Sequence, residues 1–236
     1  LHSVRKQVRR AIAENYADDF RRIYDRQRIN APYVPDAAGM GRRMLKRTAL
    51  GYLGTLETAD SIALVKAQFE AADNMTDRMD ALAVLNQINV PEREQALAAF
   101  YDQFKGDHLV VNKWLSVQAS CPLPGTLATV QRLLAHPSFD LKNPNKLRAV
   151  IGVFSLSNPA NFHAPDGSGY EFLADQILAI NAFNPQVAAR LVPPLGRWRR
   201  FDSARQSLMK HQLDRIAGAP QISRDVAELV VKSLHG

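Results

Sequence analysis

Apolar residues recur at intervals of three and four positions along almost the whole chain. Clear examples are Leu97, Phe100, Tyr101 and Phe104, and then Leu147, Val150, Ile151 and Phe154. This spacing places the apolar side chains of a helix on one stripe. No run of alternating apolar and polar residues lies between turn signals, as a half-buried strand would require. The pattern therefore predicts an all-α protein.

Cap and turn residues divide the chain into many helices. The pairs Asn143-Pro144 and Asn184-Pro185 each place a capping residue before a proline that suits the first helical position. Two long helices are expected within residues 1–57, and shorter stacked helices within residues 58–236. About a dozen helices joined by short loops indicate antiparallel pairs that stack on their neighbours. We expect residues 1–236 to form a single domain, an irregular HEAT/armadillo-like superhelical array.

Composition and charge narrow the class of protein. Hydrophobic residues make up 46% of the chain and charged residues 22%, which excludes a disordered or collagen-like chain. No membrane span is expected, because the longest apolar stretches fall far short of the roughly 18 residues that one needs. The net charge of +7 permits an acidic partner. We expect most of the basic residues to lie on solvated helix faces.

The sequence predicts no catalytic residue and no metal site in this chain. Cys121 is the only cysteine, which rules out an internal disulfide and a cysteine-based zinc site and fits a reducing cytoplasm. None of the six histidines has the paired helical spacing of a zinc peptidase motif. We expect His163 to be a structural hydrogen-bonding residue, and Trp198 to pack in its loop despite the three arginines beside it. The first ten residues lack the apolar core of a secretion signal.

A collinear series of short motifs carries more information than any single residue. The series runs 73–77 (DNMTD), 112–114 (NKW), 143–148 (NPNKLR), 157–164 (SNPANFHA), 166–170 (DGSGY) and 184–191 (NPQVAARL). In order and spacing it resembles the C-terminal helical domain of bacterial aminopeptidase N, the alanyl aminopeptidase of the gluzincin zinc metallopeptidases. The resemblance covers essentially the whole chain and is strongest from about Asp73 to Leu234.

The resemblance implies that a zinc-bearing catalytic domain lies upstream in the same polypeptide. The family's zinc motif, His-Glu-x-x-His with a later Glu, and its Gly-x-Met-Glu-Asn substrate motif do not occur here. The parent enzyme would remove N-terminal residues from peptides by zinc-activated water. This chain, inactive alone and without a cofactor of its own, would cover the active site. Arg148 and Arg190 match family arginines that are expected to line the substrate channel.

Two other functions stay open at this point. A HEAT-like nucleic-acid binder or base-excision glycosylase is suggested by the basic charge and the helical repeats, and strong salt-dependent duplex binding would support it. A free-standing protein-interaction scaffold would require a gene without a catalytic domain. We do not expect a nucleic-acid partner.

Overall fold

All regular structure is helical in the part of the chain that the computed structural model describes, residues 2–28 and 31–235, and no strand occurs there. The prediction of an all-α fold is confirmed. The helices are α1 (His2–Asn15), α2 (Ala17–Arg26), α3 (Ala37–Gly54), α4 (Ala59–Ala71), α5 (Met75–Leu85), α6 (Pro91–Phe104), α7 (His108–Ala119), α8 (Thr126–Leu134), α9 (Pro144–Leu147), α10 (Val153–Ser157), α11 (Pro159–Phe162), α12 (Ser168–Asn181), α13 (Pro185–Arg190), α14 (Pro193–Gly196), α15 (Ser203–Ala217) and α16 (Arg224–His235). A π-helical turn, Arg148–Gly152, joins α9 to α10, and a 3₁₀ turn, Trp198–Arg200, follows α14.

The helices form two compact units, Leu1–Phe104 and Lys105–Gly236. In the first unit α2 packs on α3, α4 packs on α5, and α3 also contacts α5. Its core contains the fully buried side chains of Leu50, Leu82, Leu85 and Phe100. These residues come from α3, α5 and α6, so the apolar stripes of consecutive helices meet in one core.

The second unit is built around α7 and α12. The π-helical turn packs on α7, α13 and α15 pack on α12, and α16 packs on α13 and α15. Phe154, Phe162 and Phe172 form an aromatic core in which the rings meet edge to face, at centroid distances of 6.0 and 5.5 Å from Phe154. The prediction of a single domain over residues 1–236 stays a prediction. Each unit holds its own core.

The N-terminal region contains three helices where two long ones were predicted. The expected first helix breaks at Tyr16, whose φ of −124° and ψ of 26° lie outside the helical range. The break lets both halves pack on α3. Arg9 of α1 donates to the Gly51 carbonyl oxygen at 3.3 Å, and Phe20 of α2 stacks on Tyr52 at 4.4 Å. Local periodicity is continuous across the break, so only tertiary packing reveals it.

None of the described helices combines the length and the apolar character that a bilayer span requires.

Candidate functional site

Arg148 emerges from a segment that is otherwise buried. The side chain of Asn143 caps α9 and accepts hydrogen bonds from the backbone N–H groups of Asn145 and Lys146, at 3.0 and 3.4 Å. Leu147 is buried, Arg148 is exposed, and the next residues, 149–152, are buried again. The fold therefore presents a single guanidinium at the edge of an apolar helix.

The backbone at Arg148 is unusual, because this residue opens the π-helical turn Arg148–Gly152. Such turns insert one extra residue into a helix and are frequent at functional sites. The stem of Arg148 lies along the same turn: a Cβ added at Gly152 would stand 3.5 Å from the Arg148 Cγ. The turn packs against α7 and α8, which fix its position. Periodicity alone gave no sign of this turn.

Arg190 is the last residue of α13 and is exposed, while the preceding Ala188 and Ala189 are buried. Asn184 begins this helix, and its side chain accepts a hydrogen bond from the Val187 N–H at 3.2 Å. A cation at a helix C-terminus is favoured by the helix dipole, which gives Arg190 a local stabilising role as well. The helix packs on α12 and α16.

Neither arginine is engaged by the rest of the described structure. Among residues 2–28 and 31–235, Arg148 and Arg190 make no hydrogen bond or ion pair. Arg205, by contrast, binds Asp202 at 2.8 Å. A free guanidinium can bind a carboxylate with two parallel hydrogen bonds. The two residues lie on different groups of helices within the second unit, and their place in a substrate channel stays a prediction.

The motif at residues 73–77 builds a buried ion pair. Lys46 Nζ of α3 donates to Asp77 Oδ2 of α5 at 2.6 Å, and both side chains are about nine-tenths buried. Asn74 caps α5 by accepting the Asp77 N–H at 2.9 Å, and its amide donates to Asp77 Oδ2 at 3.1 Å. Gln68 of α4 donates to the Asp77 carbonyl oxygen at 2.9 Å. This motif therefore joins three helices and has a structural role.

A second carboxylate lies beside this pair. Burial, together with the like charge of Asp77, raises the pKa of Asp80 to about 6, against the opposing effect of Arg47. Arg47 Nε lies 3.3 Å from Asp80 Oδ1. Two of the basic residues at positions 42–47 are exceptions to the expectation that most basic residues lie on solvated faces. Lys46 is buried and pairs with Asp77, and the buried Arg43 guanidinium lies 4.7 Å from the Tyr33 ring centroid.

The segment between α10 and α12 is fixed by buried polar contacts. Asn158 is 1% exposed, and its amide donates to the carbonyl oxygens of Ala119 and Cys121 at 3.1 and 2.7 Å. His163 Nδ1 lies 2.9 Å from the Tyr170 hydroxyl oxygen. Burial and the charge of Arg205 lower the pKa of His163 to about 4, so its ring is neutral at pH 7. The predicted structural role of His163 is confirmed by these contacts.

The glycines before α12 serve a tight contact. Gly167 has a φ of +74°, and Asp166 accepts the Ser168 N–H at 3.0 Å as a local cap. Gly169 lies inside the helix, where an added Cβ would come 2.4 Å from the Phe162 carbonyl oxygen. The motif is therefore a packing point between α11 and α12.

The side chain of Trp198 caps the C-terminal end of α16. Its indole Nε1 donates to the Ser233 carbonyl oxygen at 3.0 Å, and Arg199 donates to the Leu234 carbonyl oxygen at 2.9 Å. The last carbonyl groups of a helix have no partner within it, and these two side chains satisfy them. Trp198 is thus packed as predicted, and the charged groups of Arg199 and Lys210 lie over its ring, 4.2 and 5.1 Å from the centroid.

The sequence model of one family matches residues 1–235 of the chain, and it describes an ARM-repeat domain of unknown function, DUF3458_C. The chain belongs to this family. The match agrees with the stacked helices of both units and bears out the predicted armadillo-like array.

The relatives of this chain are much longer proteins. The chain is 42% identical over 234 residues to aminopeptidase N of Caulobacter vibrioides, and 38% identical over 234 residues to aminopeptidase N of Escherichia coli. The matches cover 99% of this chain but 27% of each relative, so the chain spans about a quarter of their length. The resemblance to aminopeptidase N that the motifs indicate is confirmed.

A solved structure shows the same fold. Aminopeptidase A of Legionella pneumophila, in a crystal structure with aspartic acid, matches with a TM-score of 0.90 and 33% sequence identity. The match covers 99% of this chain and 28% of that one. The fold of this chain is therefore shared, over 99% of its length, with a segment of an aminopeptidase.

Proposed function

We propose that this chain is the C-terminal helical domain of a zinc aminopeptidase that removes N-terminal residues from peptides, and that it covers the active site and lines the path of the substrate. The observation that carries the proposal is its 42% identity, over 99% of its length, to an aminopeptidase N of which it spans only 27%. Free, exposed Arg148 at a π-helical turn supports a substrate-facing role for the second unit.

The division of labour follows from the residues that are present. A catalytic zinc site needs at least three protein ligands. Among the described residues no three His, Cys, Asp or Glu side chains come together to form such a group. These residues do not fit a zinc ion, and we assign this chain no step that involves the metal. Its contribution is to bind and orient the peptide and to shield the reaction from bulk water.

Arg148 and Arg190 are the residues that we assign to substrate binding. Each is exposed beside buried neighbours, and each carries a planar guanidinium with five N–H donors. A peptide offers them a C-terminal carboxylate and a series of backbone carbonyl groups. A guanidinium can hold either group and so position a peptide without taking part in the bond cleavage.

A nucleic-acid function is disfavoured by the pairing of the basic residues. In the first unit Lys6 binds Glu57 at 2.9 Å, Arg10 binds Glu14 at 2.9 Å, and Arg21 binds Asp25 at 2.9 Å. These three basic residues bind carboxylates of the protein itself, so they are not free to bind a phosphate backbone. We place the parent enzyme in the cytoplasm, where the single buried Cys121 would stay reduced.

The proposal is tested by expressing this chain alone and within its complete polypeptide, and by assaying both on an unmodified peptide and on the same peptide with an acetylated N-terminus. The complete polypeptide should release amino acids one at a time from the free N-terminus only, and chelation of zinc should abolish this activity. The chain alone should be helical and inactive. A complete polypeptide without aminopeptidase activity, or tight salt-dependent binding of duplex DNA by the chain, would reject the proposal.

A further inference from the structure

Helix α1 carries an apolar row that nothing in the described structure covers. Val4, Val8 and Ile12 follow one another at four-residue intervals and are 57%, 53% and 36% exposed. Helix α1 packs on α3 with a different side, which carries Arg9 and the fully buried Ala13. Residues four apart lie on the same face of a helix, so the exposed side chains form a continuous stripe.

Helix α3 carries a second exposed row. Met40 and Met44 are 63% and 69% exposed and stand one helical turn apart. Met44 lies seven residues before Gly51, hence on the same side of α3 as the carbonyl group that Arg9 of α1 contacts. The contacts of α1 near this helix are made at its C-terminal end, by Arg9 with Gly51 and by Lys6 with Glu57, whereas Met40 and Met44 nearer its start stay exposed. We call Val4, Val8, Ile12, Met40 and Met44 together the α1/α3 face.

Exposed apolar residues are concentrated at this end of the chain. Ten of the fourteen large hydrophobic residues that are exposed in the described part lie between positions 4 and 45. Helix α16, at the other end, exposes only Val231 among its large apolar residues. In stacked helical repeats a terminal repeat needs a polar outer face, and an apolar face normally contacts a neighbouring repeat. The second unit thus ends like a capped array, whereas the first does not.

The positive charge around the α1/α3 face favours a binding partner with negative charge. Residues 1–57 contain twelve Lys and Arg against six Asp and Glu, nearly the whole excess of the chain. Arg5 borders the row on α1, and Arg47, with a side chain 68% exposed, follows Met44 by three positions. A second copy of this chain would bring the same positive charge against itself. An amphipathic helix with acidic flanks satisfies both the apolar row and the charge.

We infer that the α1/α3 face is the docking surface for an amphipathic helix with acidic flanks, supplied by the part of the polypeptide that the relatives possess and this chain lacks. The inference rests on the proposed function, because it requires a longer polypeptide. The relatives are long enough to supply such a helix, because about three-quarters of their length lies outside the match. The contact would extend the ARM-repeat stack and fix the first unit against the rest of the enzyme.

The test compares the chain alone with the complete polypeptide, each with and without the double substitution Val8→Glu and Met44→Glu. The matched control is the double substitution Leu156→Glu and Val231→Glu. The side chains of Leu156 and Val231 are 58% and 52% exposed in the second unit. In the chain alone, the first double variant should leave the Tm nearly unchanged. In the complete polypeptide it should lower the Tm of this domain by several degrees, while the control changes neither. Hydrogen exchange in α1 should be at least about tenfold slower in the complete polypeptide.

Equal exchange of α1 in both proteins, or an unchanged Tm in the complete variant, would overturn the inference. A dimer of the chain alone that the Val8→Glu and Met44→Glu pair dissolves would overturn it in favour of self-association. Aminopeptidase activity of the complete polypeptide is recorded in the same samples. An active enzyme with an unaffected α1/α3 face rejects the docking surface only, whereas an inactive one in which the face is protected rejects only the proposed activity.

Discussion

Lys46 Nζ of α3 lies 2.6 Å from Asp77 Oδ2 of α5, inside the first unit, where both side chains are almost completely withdrawn from water. A buried ion pair contributes little to stability relative to a well-packed apolar pair, yet losing one partner leaves an uncompensated charge. This relationship explains why the sequence carries Asn74 and Asp77 together. One caps the helix, and the other receives the ammonium group from the neighbouring helix.

Replacement of Lys46 by Met should destabilise the protein by roughly 3–5 kcal/mol, because the Asp77 carboxylate stays buried without its partner. The double variant Lys46→Met with Asp77→Leu should recover most of that loss, since no charge then remains buried. Urea unfolding followed by the helical circular dichroism signal gives the free energy of unfolding for each variant.

Lys6→Met is the matched control for this cycle. Lys6 pairs with Glu57 at 2.9 Å but is half exposed, so its loss should cost less than about 1 kcal/mol. A cost for Lys46→Met as small as that for Lys6→Met would show that the buried pair does not exist in solution.

Acid should destabilise the second unit through His163. Its pKa is lowered to about 4 in the folded protein, chiefly by burial, whereas an unfolded histidine titrates near about 6.5. The stability contributed by the neutral ring is therefore fully present above about pH 6.5 and is lost as the pH falls towards about 4. His163→Gln keeps a hydrogen-bonding group for the Tyr170 hydroxyl but cannot take up the proton.

The measurement is the Tm of parent and variant at about pH 7.5 and about pH 4.5. The parent should lose more of its Tm on acidification than His163→Gln, even if the variant starts lower at neutral pH. If both proteins lose the same number of degrees, His163 is exposed or protonated in the folded state, and the contact with Tyr170 is not formed as described.

Gly169→Ala should destabilise the protein by about 1–3 kcal/mol or more, because the new methyl group meets the backbone of α11. The added Cβ would stand 2.4 Å from the Phe162 carbonyl oxygen, and a backbone atom gives way less readily than the end of a side chain. Gly106→Ala is the control, since nothing lies within 4 Å of its added Cβ. Thermal unfolding that shifts equally in the two variants would contradict the close approach of α11 and α12.

Local sequence chemistry predicted the parts of this fold that depend on neighbours in the chain. Asn143 and Asn184 cap helices that begin at the prolines beside them, because both interactions involve residues within three positions. The apolar stripe of Leu147, Val150, Ile151 and Phe154, which the helical spacing predicted, is buried.

Features that depend on partners distant in sequence were not predictable in this way. The apolar spacing of α3 does not reveal that Lys46 meets Asp77, which lies on another helix 31 positions away. The π-helical turn at Arg148 likewise has no cap or periodicity signal. Helical spacing does place Arg43 and Lys46 on the same face of α3 as Leu50 and Leu53. The sequence therefore does indicate that these two basic residues lie on the buried face.

The substrate-facing role of Arg148 and Arg190 makes a specific kinetic prediction. In the complete enzyme, Arg148→Ala and Arg190→Ala should lower kcat/KM for a peptide by about tenfold, because a charge-assisted contact is worth roughly 1–3 kcal/mol where it is shielded from solvent. Cleavage of a short alanyl-arylamide, which has no carboxylate or extended backbone to hold, should change much less. Arg148→Lys should fall between parent and Arg148→Ala, since a point charge replaces the guanidinium fork.

The substrate-facing role is therefore tested most directly by the ratio of kcat/KM for a peptide to kcat/KM for the arylamide, measured in the complete enzyme with its zinc content and Tm verified. Arg224→Ala is the control, because Arg224 is also an exposed arginine of the second unit. The ratio should fall by about tenfold in the Arg148 and Arg190 variants and stay at the parent value in the control. An unchanged ratio in both variants would contradict it and assign these arginines to the solvated surface.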